Sequence, residues 1–242
     1  MILLSLLSTS PARANFHFWS VNELYSNADG SVQFVEFFTS SGGQQVLGGR
    51  TITCVGPMGT HSFTFPTNQP TDSAGKTFIV GTANLASVPG GLRPDYVFTN
   101  TTPFLFLNPG VTNTVTLVSA STTPAAYTNL PIDGVKSLIR TGSGSSFATI
   151  VTNSPKNYLS QSNSIVPVSF SSAARNGTDI VFSFATATGT NGTAGPNYAL
   201  QANDTFGTTN WNTISNVTGN GSTKTISLST TGAMRVFRLK SP

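Results

Sequence analysis

Apolar and polar residues alternate with a period of two along most of this chain. Representative apolar pairs are Phe63 and Phe65, Phe78 and Val80, Val115 and Leu117, Phe182 and Phe184, Ile226 and Leu228, and Phe237 and Leu239. Successive side chains of a strand point to opposite faces, so this period is typical of strands that bury one face. Turn signals such as Pro89-Gly90-Gly91 interrupt every candidate helix. The pattern predicts many short strands and very little helix.

The strongest local signal is a hairpin near the N-terminus. Asp29-Gly30 separates two runs rich in β-branched and aromatic residues, and this dipeptide favours a two-residue type I′ turn. Such a loop sets the register, which pairs Ala28 with Ser31, Tyr25 with Phe34 and Glu23 with Glu36. The two glutamates are the only ones in the chain, and we expect them to face each other across the hairpin.

Composition supports an all-β fold. Charged residues make up 8% of the 242 residues, against about 25% in typical soluble domains, and Ser, Thr, Asn and Gly fill the polar positions. Thr favours strands, while Gly and Asn favour tight turns. A hydrophobic content of 38% with 17 Phe supplies enough apolar area for a packed core, so folding is predicted and disorder is not.

The first residues are typical of an export signal. The apolar run from Ile2 to Leu7 is followed by Ala12-Arg13-Ala14, an Ala-x-Ala cleavage pattern. We expect residues 1–14 to be a signal peptide and the mature protein to be secreted or held at the cell surface. No apolar stretch reaches the roughly 20 residues that a bilayer crossing needs, so no membrane span is predicted. The single cysteine, Cys54, is expected to be a small buried hydrophobe.

The positive charge does not indicate nucleic-acid binding. The net charge is +4, but the 12 Lys and Arg are scattered singly along the chain. Binding to a phosphate backbone needs several clustered cations. We therefore predict no nucleic-acid partner.

Several segments follow the hairpin in an order that resembles a known family. They are Phe63-Thr64-Phe65-Pro66, Ala74 to Val80, Asp133 to Arg140, and Asn153-Ser154-Pro155-Lys156-Asn157. Together with the Asn22-Glu23 and Val35-Glu36 strands, this series resembles the lamin-tail domain of secreted bacterial proteins. The resemblance covers roughly residues 18–160 and implies an immunoglobulin-type β-sandwich, which we place at residues 15–160.

A second module is predicted after a short linker. Residues 153–164 lose the alternation and are polar, so we place a linker at residues 161–164. Residues 165–242 resemble a small fibronectin type III module, with Tyr198 to Gln201, Trp211, and Arg235 to Leu239. So short a module needs large buried side chains, which predicts Trp211 in its core and not on a sugar-stacking surface. The expected fold class is all-β, with two immunoglobulin-like antiparallel β-sandwich domains in tandem.

Glu23 and Glu36 form the one local cluster with electrostatic tension. Opposed carboxylates beside aromatic residues resist joint ionisation unless a cation lies near. The lamin-tail resemblance places Arg140 on a strand of the same sandwich, and a guanidinium can bind two carboxylates, so a structural ion-pair cluster of Glu23, Glu36 and Arg140 is the favoured prediction. A bound calcium ion is the alternative, although calcium takes six to eight oxygen ligands and few are at hand.

The residue content argues against an enzyme. His17 and His61 have no metal-binding spacing, and no nucleophile motif occurs. No catalytic residue, metal site or cofactor is predicted. We expect a non-catalytic exported protein that binds or scaffolds at the cell exterior, with a surface protein or a glycan as candidate partner. Two alternatives stay open: a structural subunit that self-associates through edge strands into an extracellular fibre, and a carbohydrate-binding accessory module of a hydrolase.

Overall fold

Strands dominate the structure, as the alternation predicts. The computed structural model describes residues 18–99, 103–118, 124–140, 144–187, 195–205, 210–229 and 235–240. The predicted signal peptide and His17 lie outside the described residues. In the described chain, the helical content is one short 3₁₀ helix, Ala83–Ser87, which lacks the length and the apolar run to cross a membrane.

In the part of the chain that the structure describes, ten strands form the N-terminal β-sandwich. They are β1 (Ser20–Ser26), β2 (Gln33–Thr39), β3 (Thr51–Gly56), β4 (Gly59–Thr64), β5 (Lys76–Gly81), β6 (Tyr96–Val97), β7 (Asn113–Val118), β8 (Ala125–Tyr127), β9 (Lys136–Arg140) and β10 (Phe147–Thr152). One sheet has the order β10-β9-β1-β2-β5-β6 and the other has the order β4-β3-β7-β8. All pairs are antiparallel except β5 with β6.

The main core lies between these two sheets. Leu24, Val35 and Val80 from the six-stranded sheet pack into one buried cluster with Cys54 and Val115 from the four-stranded sheet. Cys54 is buried as predicted, and its Sγ lies 3.5 Å from the Tyr127 hydroxyl. Burial raises the pKa of the Cys54 thiol, so it is a packing residue and not a reactive one.

The first hairpin has the predicted register but a different turn. Tyr25 pairs with Phe34, and Glu23 pairs with Glu36. Gly30 has a positive φ of 73°, but Asp29 does not, so the type I′ turn was a wrong prediction. Instead, the Gly30 amide donates to the Asn27 carbonyl, and the Asn27 side chain accepts from the Val32 amide at 3.0 Å. The loop is longer than the predicted one, but it gains the same number of residues on each side of Asp29-Gly30, so the strand pairing is unchanged.

Six strands among the described residues form the second sandwich. They are β11 (Phe170–Asn176), β12 (Asp179–Ala185), β13 (Asn197–Asn203), β14 (Asn212–Thr218), β15 (Thr223–Ser229) and β16 (Val236–Lys240). The sheet orders are β11-β12-β15 and β14-β13-β16, all antiparallel. This arrangement corresponds to strands A, B and E against C′, C and F of an immunoglobulin-type sandwich.

The core of the second sandwich is small and centred on β12 and β13. Phe182, Phe184, Tyr198 and Leu200 are buried, while the inward residues of β15 and β16 are only half-buried. Trp211 does not join this core. It is half-buried, and the Arg238 guanidinium lies 4.3 Å from its ring centroid, so the prediction of a core Trp211 was wrong.

The stretch read from the sequence as polar and linker-like is firmly attached to the first sandwich. We call residues 153–165 the strap. Asn153, which is fully buried, binds the Ile165 backbone through both side-chain polar atoms, at 2.6 Å and 3.0 Å. Ile165 in turn packs in a second buried cluster with Tyr25 and Phe34. The exact domain boundaries remain a prediction, but the strap is part of the first sandwich's packing.

Candidate functional site

The outer face of the six-stranded sheet carries a row of buried carboxylates beneath the strap. Glu23 lies on β1 and Glu36 opposite it on β2, and both side chains are almost fully buried. Each accepts a hydrogen bond from the strap's backbone: Ser154 N donates to Glu23 Oε1 at 2.9 Å, and Lys156 N donates to Glu36 Oε2 at 2.5 Å. The side-chain amide of Asn22 donates from Nδ2 to Glu36 Oε1 at 2.6 Å. The carboxylates therefore hold the strap against the sheet.

Asp95 extends the row, and the sequence analysis missed it. Its carboxylate accepts from Tyr158 N at 3.0 Å and from Ile79 N at 2.8 Å, next to the β5–β6 edge. We call Glu23, Glu36 and Asp95 the carboxylate row. The three strap donors are two residues apart because alternate amides of an extended chain point to the same side.

Pro155 occupies one of the intervening positions of the strap. It has no amide hydrogen, and none is needed there because the amides that meet the carboxylate row belong to the residues on either side. The spacing of Ser154, Pro155 and Lys156 is thus a sequence signal for this site. This signal can be interpreted only when the carboxylates that accept the strap's hydrogen bonds are known.

Burial dominates the electrostatics of the row. Desolvation raises the pKa of Glu36 to about 7, and the neighbouring Glu23 charge adds to this, while the hydrogen bonds from Asn22 and Lys156 oppose it. Desolvation also raises the pKa of Glu23, and it raises the pKa of Asp95 to about 6. Glu36 and Asp95 therefore take up protons in the pH range just below neutral.

Arg140 does not join the two glutamates, and the predicted ion-pair cluster was wrong in this respect. Glu23 pairs with Ile139, so the next residue, Arg140, directs its side chain to the opposite face of β9. The Arg140 guanidinium donates to the Gly144 carbonyl at 2.7 Å and to the Val21 carbonyl at 3.4 Å, and it lies over the Phe147 ring. Backbone amides take the place that the sequence analysis gave to the arginine.

The geometry of the row does not suit calcium. The oxygens of Glu23 and Glu36 face N–H donors, whereas a calcium ion would need further oxygen ligands at the positions of those donors. Within the described ranges, no group of three or more His, Cys, Asp or Glu side chains is placed to hold a metal ion. The arrangement acts as a structural clamp.

A cleft of about 600 Å³ opens where the two sandwiches meet. The first sandwich lines it with the hairpin loop that contains Ala28 and Asp29 and with Asp133, and the second sandwich lines it with Leu239 and Lys240 at the end of β16; residues 165–168 also line it. The volume falls within the range of small-ligand sites. The loops and strand ends that line it come from both sandwiches.

A direct contact also links the two sandwiches beside the cleft. The Tyr198 hydroxyl of the second sandwich donates to the Ser87 carbonyl of the first at 3.3 Å, and it accepts from the Ala187 amide at 2.8 Å. Gly90 lies against the strap backbone at Ser164, where a β-carbon would come within 1.8 Å of the carbonyl oxygen. The Tyr198 hydrogen bond joins the two sandwiches, and the close approach of Gly90 holds the strap against the first of them.

The strand pairing defines an all-β protein of the β-sandwich class. No protein-family model matches this sequence, and no curated protein matches it. Among solved structures, it is similar to a segment of two fibronectin type III domains from chicken tenascin, with 11% identity, coverage of 91% of this chain and 100% of the other, and a TM-score of 0.18. That likeness is too low to carry an argument, so the fold class is derived from the strands themselves.

Proposed function

We propose that this chain is a non-catalytic exported protein that binds or scaffolds at the cell exterior, with its ligand in the cleft between the two sandwiches. The observation that carries the proposal is the cleft, which combines apolar walls such as Ile132 and Val166 with polar groups from several loops. The two glutamates of the carboxylate row support the non-catalytic part, because both are buried and accept hydrogen bonds from the strap's backbone.

The proposal includes the lamin-tail character of the first sandwich. The Ser-Pro-Lys-Asn segment that resembles the end of that domain is the strap, and the Asn-Glu and Val-Glu strands supply two of the carboxylates that bind it. A surface protein or a glycan is the proposed class of ligand, and the cell exterior is the proposed location. Sequence features, namely the export signal and low charge, support the location.

Filling the cleft should abolish ligand binding. Ala28 is exposed in the hairpin turn and lines the cleft, so Ala28→Trp places an indole in the opening without disturbing the core. We expect at least a tenfold loss, roughly 1.4 kcal/mol, in affinity for the neutral glycan or surface protein that a binding screen identifies. Ser40→Trp, at the far end of β2, is the matched control and should bind normally. Equal affinity for both variants would place the ligand elsewhere.

Self-assembly through edge strands is a second candidate function. The edge strands β4, β10 and β14 contain no Asp, Glu, Lys or Arg, although charges commonly protect such edges. Ile150 on β10 is 54% exposed. An uncharged edge with exposed apolar side chains can pair with a strand of another copy.

A charge on β10 should block assembly if this edge drives it. Ile150→Lys is tolerated by the fold because the side chain is largely exposed, and it places a cation where an added strand would pack. We expect fibres or oligomers of the parent chain to give way to monomers, as measured by light scattering and negative-stain microscopy. Met58→Lys, at a 74% exposed turn position, is the control and should assemble like the parent. A parent chain that stays monomeric at high concentration would rule this candidate out.

A further inference from the structure

The outer face of the β14-β13-β16 sheet carries an ordered group of polar and aromatic side chains. Gln201 on β13 pairs with Arg238 on β16 and with Thr213 on β14, so these three side chains lie on the same face. The inward face is the one that holds Leu200, which pairs with Leu239. Trp211, just before β14, stacks on Arg238 and so belongs to the outer face.

Hydrogen bonds hold this group in place. The Gln201 side chain is only 9% exposed, accepts from Arg238 Nε at 2.8 Å and donates to Thr213 Oγ1 at 3.1 Å. The guanidinium is thereby fixed over the indole ring at 4.3 Å. Among the described residues, Gln201 is the only hydrogen-bond acceptor of Arg238, and Arg238 is itself an exposed residue of β16. We call Trp211, Gln201, Thr213 and Arg238 the Trp-Arg platform.

The charges of the second sandwich favour an anion at this platform. Residues 165–242 contain five Lys or Arg and two Asp. Of the two, Asp204 is paired with Arg235 at 2.7 Å, and Asp179 lies on the other sheet, where Ser227 donates to it. Lys240 is two residues from Arg238 on the same strand and the same face, and it pairs with Ala199, a small residue that leaves it uncovered. The Cα atoms of these two cationic residues are therefore about 7 Å apart, and both side chains lie on one face.

We propose that the Trp-Arg platform binds an acidic polysaccharide through the carboxylates of its uronic acid units. A guanidinium fork donates two parallel hydrogen bonds to a carboxylate, and the adjacent half-buried indole provides apolar area for a sugar ring. Lys240 accommodates the charge of a neighbouring unit. This inference rests on the proposed function as an extracellular binding protein, and it adds a ligand class and a site.

Two features place the polymer on the sheet face and distinguish it from other anions. Asp29 and Asp133 line the first-sandwich side of the cleft and Lys240 lines its second-sandwich side, so the platform, which has Arg238 and no carboxylate of its own, attracts a polyanion more strongly than the cleft does. A nucleic acid needs a longer track of cations than Arg238 and Lys240 provide. The pairing of one fork with one aromatic ring matches a polymer with a carboxylate on each sugar.

The test is titration of the full chain with polygalacturonate, followed by calorimetry or affinity electrophoresis, with dextran and an oligo-dT strand as comparison polymers. We expect binding to polygalacturonate, none to dextran, and weaker binding to oligo-dT. Arg238→Gln and Arg238→Lys should each lower the affinity about tenfold, because both remove the fork while the second keeps the charge. Lys224→Gln, on the other sheet, removes the same charge and should change the affinity less than twofold.

Three results would overturn the proposal: no binding to polygalacturonate, equal losses for Arg238→Gln and Lys224→Gln, or tighter binding to oligo-dT. A circular-dichroism melt of each variant shows that the second sandwich is still folded, and Arg238→Lys is the variant least able to disturb it. If the chain binds a neutral glycan or a protein that Ala28→Trp blocks, but not polygalacturonate, the proposed function stands and the platform inference fails.

Discussion

The free energy of unfolding of the first sandwich is expected to rise as the pH is lowered from about 8 to about 5, which is the reverse of ordinary acid destabilisation. The cause is the carboxylate row. Burial raises the pKa of Glu36 to about 7 and that of Asp95 to about 6, and it also raises the pKa of Glu23. Their ionisation in the folded state is therefore unfavourable relative to the unfolded chain.

The sign and the pH window follow from these shifts. A group whose pKa is raised on folding adds stability that is complete below its unfolded pKa and is lost as the pH rises through its folded pKa. The pKa of Glu36 rises from 4.5 in the unfolded chain to about 7 in the folded protein, and this shift corresponds to roughly 3 kcal/mol. Below this range the trend reverses, because Asp29 and Asp72, whose pKa values are lowered by hydrogen bonds, lose their stabilising interactions when protonated.

Urea denaturation at a series of pH values, followed by tryptophan fluorescence, measures this dependence. Trp19 is buried in the first sandwich, with its Nε1 donating to the Gln44 carbonyl at 2.7 Å, so its emission reports on that core. Glu36→Gln removes the main titrating group and should flatten the curve near neutral pH, whatever its absolute stability. A parent protein whose stability is constant or greatest at about pH 8 would contradict the desolvation argument.

Period-two alternation was a sound guide to the sheets because strand geometry requires it. Phe63 lies on β4 and Phe65 directly after it, while Phe78 and Val80 lie on β5. All four side chains are buried, as the pattern predicted. The pattern was less informative for Ile226 and Leu228, which are only half-buried. Alternation shows which side of a strand is apolar, but how far that side is covered depends on strands elsewhere in the chain.

The carboxylate row shows why the site was only partly predictable. Register alone placed Glu23 opposite Glu36, since hairpin pairing is a local property. The groups that bind the two carboxylates are not local. They are backbone amides of a segment more than a hundred residues away, and backbone amides leave no signature in side-chain patterns. The polar composition of the strap was read as a linker, whereas it reflects a chain whose amides and side chains are bound to the sheet.

The strap amide at Lys156 provides the sharpest test of the clamp. Lys156→Pro removes the N–H that donates to Glu36 Oε2 and leaves a buried carboxylate with the Asn22 amide alone. Loss of a hydrogen bond to a charged group, together with the desolvated oxygen left behind, should lower the free energy of unfolding by roughly 3 kcal/mol at neutral pH. Urea denaturation of the purified variant measures this loss.

Lys156→Ala is the matched control, because it keeps the amide and deletes only the partly exposed side chain. Its cost should stay within about 1 kcal/mol, which is typical of a weak surface charge interaction. The clamp model also requires that the defect of Lys156→Pro shrink on acidification, since a protonated Glu36 no longer carries an uncompensated charge. If the proline and alanine variants lose the same stability, or if the proline defect does not change with pH, the backbone amide is not what holds the strap to the sheet.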